Sequence, residues 1–163
     1  MPLSEIKLLG DPILYEKCLP VLKEELADLQ TVIDQMACLV LEFREKYGAG
    51  RAIAAPQVGV LKRLIVMNID QPIAIINPEF LEQSEEMMEL WDDCMSFPNL
   101  LVRLKRHRKI KMRFLDQNWE EQVWDLEGDL SELMQHEYDH LDGILATMRA
   151  IDSNAFRWRT SGK

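Results

Sequence analysis

Asp129-Leu-Ser-Glu-Leu-Met-Gln-His-Glu-Tyr-Asp-His140 decides the reading of this chain. Leu130, Leu133 and Met134, continued by Leu141, recur at helical spacing, and Gly143 stands where a helix C-terminus favours glycine. Asp129 with Glu132 three residues on has the form of a capping box, so the spacing predicts a helix from about Asp129 to Asp142. On such a helix His136 and His140 lie four residues apart on one face and can reach one metal ion. Glu137 follows the first of them directly, the place of the acid that works beside a metal-bound water in HExxH metalloproteases. Two of the chain's three histidines fall here. Taken alone, HExxH is equally compatible with chance on a solvated helix.

Upstream of this helix the chain reads mostly as strands. The stretch through Val21, with Gly10-Asp11-Pro12 and Pro20, is an extended lead-in. Leu22, Leu26, Leu29, Ile33, Met36, Val40 and Phe43 then predict a long helix from Leu22 to about Tyr47, ended by Gly48 and Gly50. Gly50-Arg-Ala-Ile-Ala-Ala-Pro-Gln57 is too small and too proline-broken for helix or central strand. Strands are expected at Leu64–Ile69, Ile73–Ile76, Leu100–Leu104, Lys109–Leu115 and Gln122–Leu126. Strands between two helices, without regular alternation, indicate an α+β fold with mostly antiparallel sheets rather than a doubly wound one. No repeat or flexible linker divides the chain, so residues 1–163 are expected to form a single domain.

Composition narrows the classes. Of 163 residues 47% are hydrophobic, enough for a core without disulfide staples, and the net charge is −9, which argues against DNA as a partner. Cysteines 18, 38 and 94 lack the spacing of a disulfide framework. No run of 18 apolar residues and no signal-like N-terminus is present, so a cytoplasmic protein without a membrane partner is expected. One stretch runs against the charge balance: Arg103-Leu-Lys-Arg-His-Arg-Lys-Ile-Lys-Met-Arg113 holds seven basic residues and no acid. It is readable as a solvated strand surface paired with carboxylates, or as the contact of a non-catalytic, ribosome-associated module. The absence of interleaved aromatics favours the strand.

Catalytic zinc or iron takes three protein ligands and leaves a position open. The third is sought elsewhere, and Cys94 in Trp91-Asp-Asp-Cys-Met-Ser-Phe-Pro98 is the best candidate. A thiolate with two imidazoles suits zinc or ferrous iron rather than magnesium or calcium. The commoner condition of a lone cysteine, a small buried apolar residue, is assigned to Cys18 and Cys38. An endopeptidase fits poorly, since only 23 residues follow His140 and none is a histidine.

Three ordered segments then match one pattern: Gly50-Arg-Ala-Ile-Ala-Ala-Pro-Gln57, Asp92-Asp-Cys-Met-Ser96 and Gln135-His-Glu-Tyr-Asp-His140. They are similar to G-x-G-x-A-A-P-Q, E-G-C-x-S and Q-H-E-x-D-H, and the chain resembles the peptide deformylase family from about residue 6 to 145. The resemblance implies a hydrolase that removes the N-formyl group from the N-terminal methionine of newly made proteins, through attack of metal-bound hydroxide on the formyl carbon. It implies Cys94, His136 and His140 as ligands of one divalent ion, usually Fe(2+) and often Zn(2+) or Ni(2+) in purified material. Glu137 would handle the proton, and Gln57 with the backbone N–H of Met95 would stabilise the oxyanion. N-formylated nascent peptides would be the partners, the ribosome a further one, and the protein a monomer. Departures from the pattern fall at candidate substrate-binding positions. Asp92-Asp93 replaces glutamate and glycine, Arg51 takes a usually apolar place, and Ala52 replaces the second glycine. Glu132, one turn before His136, is placed to line the methionine pocket. They raise the alternative of a relative with an altered acyl or peptide substrate, or with lost deformylase activity.

Overall fold

Leu64-Ile-Val-Met-Asn68 is apolar at all but its last position, and in a strand that means both faces are covered. The computed structural model describes residues 2–160 and shows how. The strand is the second, β2 (Leu64–Asn68), of a five-stranded sheet that also holds β1 (Ala52–Ala54), β3 (Pro72–Gln83), β6 (Lys109–Leu115) and β7 (Glu121–Glu127). The strand order is β1-β2-β3-β6-β7, with every neighbour antiparallel. The period of two sorts side chains between two helices. Ile53, Leu64, Val66, Ala74 and Ile76 pack with Ile33, Met36 and Val40 of α1 (Leu26–Tyr47). Ala52, Ala54, Ile65, Met67 and Ile75 face the other way, onto Leu133, Met134 and Leu141 of α2 (Asp129–Leu141). The residues 161–163 included in the single-domain expectation lie outside the described residues.

The expected first helix begins four residues late. Residues Lys23–Glu25 form a 3-10 turn, in which the Glu25 carboxylate accepts the Leu22 N–H at 2.8 Å, and α1 follows. It ends at Gly48, whose φ of 73° is left-handed. Cys38, expected among the apolar residues of this helix, is exposed instead, while Cys18 is buried. Residues 50–57, expected to be irregular, form the short edge strand β1 and a 3-10 turn at Ala55–Val58. The strand expected at Ile73–Ile76 continues to Gln83 through register shifts after Ile76 and Phe80.

A second, three-stranded antiparallel sheet has the order β4-β5-β8, from Met87–Asp92, Leu100–His107 and Phe156–Trp158. On β5, Val102, Leu104 and Arg106 point inward, so one cation of the basic stretch is buried. Five of the other six pair with carboxylates: Arg103 with Asp152, Arg108 with Glu86, Lys109 with Glu127, Lys111 with Glu82, and Arg113 with Glu79 and Glu121. That is the paired strand surface. Among the described residues no helix is long and apolar enough to cross a membrane.

Helix α2 starts and stops on glycine. The expected capping box does not form: Gly128 is the N-cap with φ 64° and ψ −126°, Asp129 is already helical, and no side chain caps the turn. Glu132 is buried and serves elsewhere. At the far end Gly143 has φ 73°, and the N–H groups of Gly143 and Ile144 donate to His140 and Asp139 carbonyls. A Cβ at Gly143 would lie 2.5 Å from the Tyr15 carbonyl oxygen, so the N-terminal lead-in packs directly on this cap.

Candidate metal centre and its pocket

Two elements converge on one point. Helix α2 supplies His136 and His140 from one face, as their spacing predicts, and the turn after β4 supplies Cys94. One donor atom from each lies within 4.8 Å of the others, all three residues being buried. Cys94 Sγ stands 3.4 Å from His140 Nε2. Donors on one tetrahedral zinc or iron at roughly 2.0–2.3 Å are separated by about 3.5 Å, so one thiolate and two imidazoles fit a metal ion here. The Ser96 N–H points at the sulfur from 3.4 Å.

The ligands are held from behind. His136 Nδ1 donates to Asp92 Oδ2 at 2.9 Å, which fixes the tautomer and leaves Nε2 as the donor to a metal. Asp92 is paired with Arg106 at 3.1 Å, and Arg106 reaches Asp139 Oδ2 at 2.7 Å. Arg149 completes the chain by donating to Asp139 Oδ1 at 2.9 Å. Burial opposes the charge on Asp92, but His136 and Arg106 together hold its carboxyl below the usual range. Burial, and then the charge on His136, keep His140 neutral and so able to bind a metal. The sequence marks Asp92 only as a departure beside the motif cysteine and Arg106 only as one cation of the basic stretch, neither as a support for a ligand. Asp92 closes a strand with its side chain inward, and Arg106 continues the inward set Val102, Leu104. That alternation is the signal that singles Arg106 out from the basic stretch.

A pocket of about 230 Å³ opens onto the cluster and is lined by Cys94, His136, Glu137 and Gln57. Glu137 is 2% exposed, and burial pushes its carboxyl up to about 7 against the opposing charge of His136. Gln57 is fixed at both ends of its amide: Oε1 accepts the Ala54 N–H at 2.9 Å, and Nε2 donates to Ser96 Oγ at 3.0 Å. Nε2 is also 3.6 Å from Cys94 Sγ. Met95, next to the cysteine, is buried and lines the same pocket.

The four candidate substrate residues also line it. Arg51 Nη2 lies 3.2 Å from Glu132 Oε2, so the residue before β1 and the first turn of α2 are bridged by an ion pair. The Glu132 side chain is only 11% exposed and that of Arg51 36%. Burial, and then the Asp92 carboxylate, push Glu132 up to about 7. Ala52 begins β1 and is buried. Asp93 turns toward the C-terminal segment and pairs with Arg159.

Comparison with known proteins gives a consistent result. The family profile described as Polypeptide deformylase matches residues 3–155. A peptide deformylase of Thermotoga neapolitana is 38% identical over 141 residues, spanning 86% of this chain and 82% of the relative. Among solved structures, peptide deformylase from Thermotoga maritima superposes with a TM-score of 0.82 at 34% identity, covering 90% of this chain and 97% of that one. A class I type b peptide deformylase from Acinetobacter baumannii, solved with Met-Ala-Ser bound, gives a TM-score of 0.80 at 30% identity over 88% and 96% of the two chains.

Proposed function

The chain belongs to the polypeptide deformylase family, and on that footing we propose that it hydrolyses the N-formyl group of nascent peptides that open with methionine, using Cys94, His136 and His140 to hold one divalent metal. The observation that carries this reading is the cluster of those three donors beside a pocket lined by two of them, Cys94 and His136, together with Glu137 and Gln57. A thiolate beside two imidazoles suits ferrous iron, zinc and nickel, and ferrous iron is the ion we assign in the cell. When bound, the metal supplies Lewis acidity that lowers the pKa of a water molecule toward neutrality.

The chain's own groups do the rest. Glu137 takes the proton of the attacking water and delivers it to the departing amine; a buried carboxyl at about 7 is matched to both transfers near neutral pH. The formyl oxygen becomes negative as the carbon turns tetrahedral. The Met95 N–H and the Gln57 Nε2–H are the donors we assign to it, and removing one such donor raises the barrier by about 3–4 kcal/mol. Asp92 holds the His136 ring in register, and Arg106 holds Asp92.

The test is deformylation of a formyl-Met peptide by protein loaded anaerobically with ferrous iron, and separately with zinc, alongside metal analysis. One ion per chain and release of formate are expected. Absence of turnover with both metals would overturn the assignment.

A further inference from the structure

The pocket carries a pair of charges where an apolar side chain would have no use for them. Arg51 and Glu132 stand 3.2 Å apart in its wall, and Cys94, His136 and Glu137 line the same space. The pocket's apolar lining comes from Phe43, Leu133 and Met95. A substrate whose formyl carbon sits at the donor cluster has its first side chain only three bonds from that carbon. This cavity is therefore where that side chain goes.

We infer that the Arg51–Glu132 pair is the specificity element for the first side chain, and that it selects a neutral, hydrogen-bonding group of methionine's length. This rests on the deformylase reading of the same pocket. Arg51 reaches Glu132 through Nη2 alone, which leaves its other N–H groups available to an acceptor in the pocket it lines. Glu132 Oε1 is the complementary acceptor. A glutamine amide satisfies both partners, and the sulfinyl oxygen of methionine sulfoxide satisfies Arg51. A thioether is a weak acceptor, and a norleucine chain offers nothing. Filling the pocket with norleucine strips water from two charged groups and returns no hydrogen bond, which is how a polar site rejects an analogue lacking its polar atom. A charged side chain is attracted by one member of the pair and repelled by the other, so no net pairing there offsets the loss of its own hydration.

The test ranks kcat/KM for formyl peptides identical except for a first residue of methionine, norleucine, glutamine or methionine sulfoxide. The iron-loaded protein should process the glutamine and sulfoxide peptides at least as fast as the methionine peptide and tenfold or more faster than the norleucine peptide. The double variant Arg51→Ile/Glu132→Leu should invert the order, with methionine and norleucine leading by tenfold or more. Calorimetric titration with the tripeptides Gln-Ala-Ser and Met-Ala-Ser should show Gln-Ala-Ser binding the wild type at least as tightly. If the double variant does not fold, the wild-type ranking and the titration decide. Norleucine equal to or ahead of glutamine in the wild type would overturn the pocket inference while leaving the deformylase reading intact. No turnover of any of the four peptides would overturn both.

Discussion

His136 serves a metal only in one tautomer, and the Asp92 carboxylate 2.9 Å from Nδ1 decides which. Asp92→Ala should therefore weaken metal affinity by roughly 10–100-fold, read by competition with a chromophoric chelator. It should also destabilise the fold by about 3 kcal/mol, because Arg106 loses one of its two buried carboxylates. If Glu137 acts on the water as proposed rather than on the metal, Glu137→Gln should keep one ion per chain and lose turnover by roughly 10²–10⁴-fold. At this scale the donor residues were legible in the sequence because HExxH and a cysteine in a polar turn occur together in ordered segments, although neither signal decides alone. The support behind them was not. Asp92 looked like a substrate-facing carboxylate and Arg106 like one more surface cation, since a linear pattern says which face a residue takes only after its strand is known. Glu132 was ambiguous for a related reason. It stands at the third position after Asp129 whether the helix begins with a side-chain cap or, as here, with Gly128.

Helix α2 is aimed by its two ends. Gly143 packs its bare Cα against the Tyr15 carbonyl in a left-handed conformation, so Gly143→Ala meets both a backbone clash and an unfavourable φ. A loss of about 2–4 kcal/mol is expected, measurable as a shift in the urea midpoint without a change in slope. The long helix, the strand at 109–115 and α2 were readable because their apolar period is uninterrupted over several turns or alternations. Three strands were not. β1 is three residues of small side chains beside a proline, β8 is three exposed residues, and β4 alternates within a methionine- and acid-rich run. Each owes its conformation to the neighbour it pairs with, β1 to β2 and the other two to β5. Such elements exist through tertiary hydrogen bonds, which a local reading does not contain.

For the whole molecule, the titration that matters at alkaline pH is that of Cys18. Burial raises its thiol from 9.0 to about 11, with Arg63 opposing. The unfolded chain loses this proton near 9 while the native state keeps it, so the native state binds more protons between those values and stability falls as pH rises from about 9 to 11. A Cys18→Val variant should show a flatter stability curve over that window in denaturant titrations. Six of the seven cations of 103–113 are engaged by carboxylates of the same chain, so labelled RNA should show no anisotropy change with this protein at physiological salt. The strand β2 adds a kinetic consequence. With α1 seated on one side and α2 on the other, neither helix can finish packing before β2 is in place, and local fraying of either leaves its amides covered by the other. Protons on Ile65, Val66 and Met67 should thus exchange with solvent last of all, at the rate set by complete unfolding, and the metal ligands on α2 become assembled only in molecules that have already closed around that strand.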